Sequence, residues 1–334
     1  MLKNKTNHTI EFIKLIASYM VIFIHVLWYS DSVIANSLAR FAVPFFFATS
    51  GFFSDNASLD SIKRRIRNII FLTIISFCLH TCWNMIKLTI DPGAMPIGEY
   101  FAQYISIEAL KNFLLYNVTI STGSAWYLFA MIYVYAMFYF ITKHNIDLNK
   151  IAVVAVILLT INLLCNEVIS VFWSPIEHYI MRNFLFTGFP FFVFGLLLRK
   201  YSDKLKDIPD YALIVLFIAG VAETLISATC FGKRDMYCGS VLIVFALMTI
   251  AIKYPRYDAP IIPQKLYGCS TYIYIIHVIV DGIVIRLYPL FNVDRMELKL
   301  VGGLHPLLTC VLSTVFAYML KNMSVRPVKN ETAT

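Results

Sequence analysis

Charge is scarce in this chain. Only 14% of its 334 residues are Asp, Glu, Lys or Arg, against 59% hydrophobic and 15% aromatic, with a mean hydropathy of +0.71. That balance excludes a soluble globular domain, whose surface would need far more polar side chains. Fixed-period repeats and low-complexity tracts are also missing, and the longest polar connection is the stretch 91–117, too short for an appended soluble domain. Metal-binding sets are absent from the pattern as well. Cys78 and Cys82 share a helix face, but no further pair of His or Cys residues stands at ligand spacing, and Cys165, Cys269 and Cys310 fall inside apolar runs as small buried hydrophobes. Cys230 and Cys238 bracket a short loop, where a disulfide would form if that side is oxidising.

Long apolar runs are what the chain has instead. Runs able to cross ~30 Å of hydrocarbon lie at about 10–30, 35–54, 68–90, 123–142, 151–172, 183–199, 211–230, 236–252, 266–290 and 303–320. The expectation is an all-α, polytopic integral membrane bundle of about ten transmembrane helices. It forms one domain over 1–334, with a cytoplasmic segment 1–9, the bundle 10–320 and a cytoplasmic tail 321–334. With the N-terminus inside, eighteen Lys and Arg residues of the connections fall on the cytoplasmic side. Seven fall outside: Arg40, Lys111, Arg182, Lys233, Arg234, Arg295 and Lys299. Topology and anionic headgroups thus account for the net charge of +8, and no nucleic-acid partner is implied. Lys3 and Lys5 before an apolar run, with Val33-Ile34-Ala35 after it, imitate a signal peptide, but the run is too long and nine more follow. The stretch 91–117 opens with turn formers and regains helical spacing at Ile107, Leu110, Leu114 and Leu115, the pattern of a surface-lying amphipathic helix.

Ionisable residues inside apolar runs cost free energy, roughly 2.5–3.5 kcal/mol for a lysine at mid-span, so they mark candidate sites. Lys14 and His25 are eleven residues apart, almost three turns, which sets them on one helix face about 16 Å apart along the axis. Glu11 joins that face and can pair with Lys14. Ser270, Tyr274 and His277 share one face of a later helix, and Asp281 at i+4 from His277 is placed to fix its tautomer. A histidine base and a second polarising group suit hydroxyl chemistry. In the run SIKRRIRN, Arg64 and Arg67 are one turn apart, and guanidinium forks suit bidentate phosphate binding.

In this order along the chain, the motifs resemble the acyltransferase-3 family of membrane acyltransferases. Its first helix carries Arg-x10-His, matched by Lys14 and His25. P-x-F-F-x-x-S-G is met by the run from Pro44 to Gly51, and R-x-x-R by Arg64 and Arg67. W-[FY]-L is met by Trp126, Tyr127 and Leu128, and F-P-F-F-x-x-G by the run from Phe189 to Gly195. S-x3-Y-x2-H-x2-V is met by Ser270, Tyr274, His277 and Val280. Two departures stand out. Lysine replaces the first-helix arginine, and Met131 and Ile132 stand where members with a fused esterase-like domain carry a glutamate pair, as in a stand-alone transferase.

The resemblance implies an O-acetyltransferase of the bacterial inner membrane, moving acetyl from cytoplasmic acetyl-CoA to a hydroxyl of an extracytoplasmic glycan or lipid-linked sugar, with O-antigen or another surface polysaccharide as acceptor. It implies a catalytic set of His25, Lys14, His277, Tyr274 and Ser270, a donor site at Arg64, Arg65 and Arg67, and no metal. The rival from another class is a secondary transporter or flippase, whose polar path would use Glu167, Glu223, His25, His80 and His277, although no two-fold internal repeat is visible.

Overall fold

A computed structural model describes residues 6–26, 33–91, 93–118, 123–172, 177–291 and 304–324. Among them the chain is helical, with no strands. Among the described residues, eight helices are long and apolar enough to cross a membrane. These are α1 (His8–His25), α2 (Val33–Phe52, interrupted by a 3-10 turn at Ala39–Phe41), α3 (Leu59–Ile90), α6 (Trp126–Lys143), α7 (Leu148–Phe172), α9 (Asp210–Phe231), α11 (Cys269–Leu290) and α12 (Leu304–Met323). Two shorter apolar helices, α8 (Phe189–Lys200) and α10 (Cys238–Lys253), complete the ten expected segments. Between α3 and α6 lie α4 (Ile97–Ala102) and the amphipathic α5 (Ile107–Tyr116), where Ile107, Leu110, Leu114 and Leu115 are exposed.

Hydrogen bonds at the helix ends sort them onto two faces. Asn7 Nδ2 donates to Ala251 O at 2.7 Å, His8 N to Pro255 O at 2.9 Å, and Lys321 Nζ to Tyr267 O at 2.6 Å. The start of α1, the end of α10, the start of α11 and the end of α12 therefore share one face, called near below. On the far face Ser37 Oγ meets Tyr237 Oη at 2.7 Å, and Asn117 Oδ1 accepts from Phe184 N at 3.1 Å. The first and last described helical ends both lie on the near face, as an even number of passes requires.

Boundaries differ from the hydropathy reading in two informative places. α3 starts nine residues earlier than its apolar run, because Ser58 caps it by accepting from Ser61 N and because arginine is a good helix former, so Arg64 to Arg67 ride on the helix itself. α1 ends at His25, where Val26 turns extended at φ −70° and ψ 133°, so this histidine sits in the last helical turn.

Aromatic and aliphatic side chains of α1, α2, α6, α8, α10 and α11 form the core, with Ile10, Phe45, Phe47, Leu128, Phe191 and Met248 fully buried. In lipid there is little hydrophobic drive between helices, so close backbone approach carries the packing. α2 and α8 approach most tightly. A Cβ on Gly51 would stand 1.9 Å from Phe192 O, and one on Gly195 1.9 Å from Ala48 O. Gly195→Ala should therefore destabilise the protein by about 1–3 kcal/mol through overpacking. Gly98→Ala, where a Cβ meets nothing within 4 Å, should be neutral or slightly stabilising. Thermal unfolding in detergent compares the two, and equal melting temperatures would refute the close-approach account.

Candidate active site

α1 and α11 run in the same direction and touch at both ends. Near the start, Glu11 Oε2 accepts from Gly268 N at 3.2 Å and Glu11 Oε1 pairs with Lys14 Nζ at 2.7 Å. At the far end the rings of His25 and His277 stand 5.3 Å apart between centroids, tilted by 41°. Two histidines 252 positions apart in sequence thus form one pair.

The tautomer of His277 is set by the backbone. Its Nδ1–H donates to Tyr274 O at 2.8 Å, which leaves Nε2 as an acceptor, buried and without a hydrogen-bond partner among the described residues. The expected partner, Asp281, does something else. It accepts from His305 Nε2 at 2.8 Å, and His305 Nδ1 meets Tyr288 Oη at 2.6 Å. The reason is directional. A helical side chain leans toward the preceding turn, so the ring of His277 reaches the carbonyl three residues back rather than a carboxylate four residues ahead.

A cavity of about 40 Å³ adjoins His25, and its wall also includes Arg40, Pro44, Trp126, Arg182, Thr187, Asp235 and Tyr274. It shares Arg40, Arg182 and Asp235 with a polar vestibule on the far face, lined also by Glu177, Lys233 and Arg234. Local structure explains each placement. Arg40 lies in the 3-10 turn of α2, with Nε and Nη2 donating to Asn36 Oδ1 at 3.1 and 2.7 Å. Arg182 precedes Asn183, whose side chain caps the turn Phe184–Gly188 by accepting from Leu185 N and Phe186 N at 2.9 and 3.0 Å. Its guanidinium lies over the Trp126 ring, 5.7 Å from the centroid. Trp126 is fixed in turn by Tyr274, whose hydroxyl donates to Ser124 O.

Of the residues proposed from sequence, His25, His277 and Tyr274 are therefore assembled together. The Tyr274 hydroxyl is committed to the backbone at Ser124, and the buried Ser270 Oγ has no partner among the described residues. Lys14 stands at the near end of the same seam. Arg64 and Arg67 are exposed and line a near-face hollow with Ser58, Asp60, Ser61 and Lys63. Arg65 differs from them, because its Nη2 donates to Phe53 O at 2.7 Å and its Nη1 to Ser54 Oγ at 3.2 Å, tying α3 to the end of α2.

Arg40, Arg182 and Asp235 were not singled out by the sequence reading, which counted the two arginines only toward topology. Their signal was that they are cations on the side where few belong, one of them four residues before the Pro44 motif. The intramembrane carboxylate Glu223 accepts from Gly239 N at the start of α10, away from the histidine pair. Cys230 and Cys238 are both free thiols, so the loop between them is not bridged. No group of three or more His, Cys, Asp or Glu able to hold a metal occurs among the described residues.

The site joins a histidine pair, in which His277 Nε2 is an open acceptor, to a far-facing cavity lined by His25, the equipment for moving a proton off a hydroxyl. Among curated proteins and solved structures none matches the chain. The family model described as an acyltransferase domain matches residues 7–321, from just before α1 to within α12. The match takes in both histidines, the near-face arginines and the far-face cavity, and the chain belongs to the acyltransferase-3 family of membrane acyltransferases.

Proposed function

We propose that this acyltransferase takes acetyl from acetyl-CoA at its near, cytoplasmic face and passes it to a hydroxyl of a glycan at the far, extracytoplasmic face. The acceptor is a sugar of the O-antigen or of another surface polysaccharide, free or lipid-linked, and the membrane is the bacterial inner membrane. One observation carries this reading. His25, in ring contact with His277, lines a cavity toward one face, while Arg64 and Arg67 line a hollow on the other. The excess of basic residues on the near face supports its assignment as cytoplasmic.

The chemistry asks little more. An imidazole nitrogen of His25 takes the proton of the acceptor hydroxyl as its oxygen attacks the acetyl carbonyl. The carbon–sulfur bond breaks, and the proton passes to the departing CoA thiolate. His277, with its Nδ1–H held by Tyr274 O, keeps a lone pair toward the interior and supports the same transfer. Exposed guanidiniums at Arg64 and Arg67 suit the phosphates of CoA. Lys14 supplies positive charge along the seam between the two ends. Family membership favours this reading over transport. Incubating the purified protein with acetyl-CoA and a surface glycan should release free CoA thiol and add one acetyl unit to the glycan by mass. Absence of both would overturn the reading.

Five variants separate the roles. His25→Ala should lower transfer by 10²–10⁴, the usual cost of losing a general base, with membrane abundance unchanged; activity within a few-fold of the parent would remove the histidine from the mechanism. Replacing Arg64 and Arg67 together by Ala should weaken acetyl-CoA binding by ~1.5–3 kcal/mol per lost charge-assisted bond. Arg65→Ala should instead lower the melting temperature, since its hydrogen bonds join α2 to α3. Donor titrations and melting curves on the same samples distinguish these outcomes. Lys14→Arg should retain substantial turnover and Lys14→Met should lose it. Because Met would leave Glu11 without its cation, the Met change is paired with Glu11→Gln, which retains an acceptor for Gly268 N. Full activity of that double variant would show that the charge at position 14 is dispensable.

A further inference from the structure

The seven basic residues assigned to the far side run against the charge bias of the chain, and their placement is not random. Five of them are described, and four of these, Arg40, Arg182, Lys233 and Arg234, line the one vestibule above the histidine pair. Only two carboxylates line it with them, Glu177 and Asp235.

The deep end of the vestibule is short of negative charge. Asp235 is shared by two guanidiniums, with Arg40 Nη1 at 2.6 Å and Arg182 Nη1 at 3.8 Å, and the three side chains are 14–23% exposed. Arg40 donates three hydrogen bonds, one to Asp235 and two to Asn36. Arg182 stacks on Trp126 and approaches Asp235 only to 3.8 Å, and it makes no hydrogen bond among the described residues, so its planar fork can receive a ligand. At the rim, the Nε of Arg234 is likewise buried without a partner. A partly buried cation with an incomplete counter-charge is costly, and an arriving anion removes that cost. Carboxylate and phosphate are the anions whose geometry fits a guanidinium fork.

We infer that this vestibule is an anion-binding subsite, with Arg182 as its principal contact, and that the acceptor is an acidic glycan bearing a carboxylate or phosphate beside the hydroxyl that is acylated. The inference rests on the acyl-transfer reading above. Because Arg40, Arg182 and Asp235 line both the vestibule and the His25 cavity, an anion held there brings its neighbouring hydroxyls toward His25. Cations around the entrance also draw such an acceptor in.

The test uses the full-length protein in detergent and three probes: a uronate-containing oligosaccharide, its carboxyl-reduced neutral counterpart, and a polyprenyl-pyrophosphate-linked neutral sugar. The uronate should bind at least about tenfold more tightly than its neutral counterpart at low salt, and the margin should shrink as salt rises. If the pyrophosphate probe alone shows the advantage, the anion is the phosphate of a lipid link and the subsite stands. Arg182→Gln should erase the preference and Arg182→Lys should restore part of it. The wild-type comparison needs no variant to fold. Equal, salt-independent binding of all three probes would overturn the inference. Transfer assays on the same probes separate it from the reading beneath: acetylation of neutral and acidic sugars at equal kcat/KM defeats the acidic-acceptor inference alone, whereas selective anion binding without acetylation of any glycan defeats the acyl-transfer reading.

Discussion

Everything at the centre of this bundle depends on the parallel contact between α1 and α11. It is closed at one end by the carboxylate of Glu11, which holds both Lys14 and the backbone of Gly268, and at the other by the facing rings of His25 and His277. In hydrocarbon a polar side chain must find its partner inside the protein. Glu11 meets that demand at the near end for Lys14 and for the backbone of Gly268, whereas at the far end His277 Nε2 stays buried without a partner among the described residues. The seam also gives the histidines a fixed position relative to the near face.

The remaining elements serve that seam. The tight crossing of α2 and α8 through Gly51 and Gly195 brings Pro44 and Thr187 to the cavity wall. Asn162 reinforces this corner, donating to Phe186 O at 2.9 Å and to Thr187 Oγ1 at 3.0 Å. The Tyr274 hydroxyl anchors the 3-10 turn Gly123–Ala125 just before α6, next to Trp126, whose ring lies beneath Arg182. Arg182, Trp126 and His25 thereby share the wall of one cavity on the far side.

Much of this was legible in the sequence. Ten apolar runs gave ten helical segments, because hydrophobic length is a direct consequence of membrane thickness. The one-face arrangement of Lys14 with His25, and of Tyr274 with His277, follows from helical spacing alone. What spacing cannot supply is the partner across helices. Asp281 looked available to His277 but is taken by His305, a residue far along the chain, and Arg65 looked equivalent to its neighbours but turns toward Phe53. Arg40 and Arg182 were visible only as misplaced charges until folding brought them to a single aspartate.

The central claim is that one site draws its donor from one side of the membrane and its acceptor from the other. Sealed, right-side-out vesicles containing the protein test it most directly, with labelled acetyl-CoA supplied either in the lumen or in the outer medium and glycan supplied only outside. The account predicts label on the external glycan when acetyl-CoA is in the lumen and almost none when it is outside. Labelling that requires donor and acceptor on the same side would contradict it.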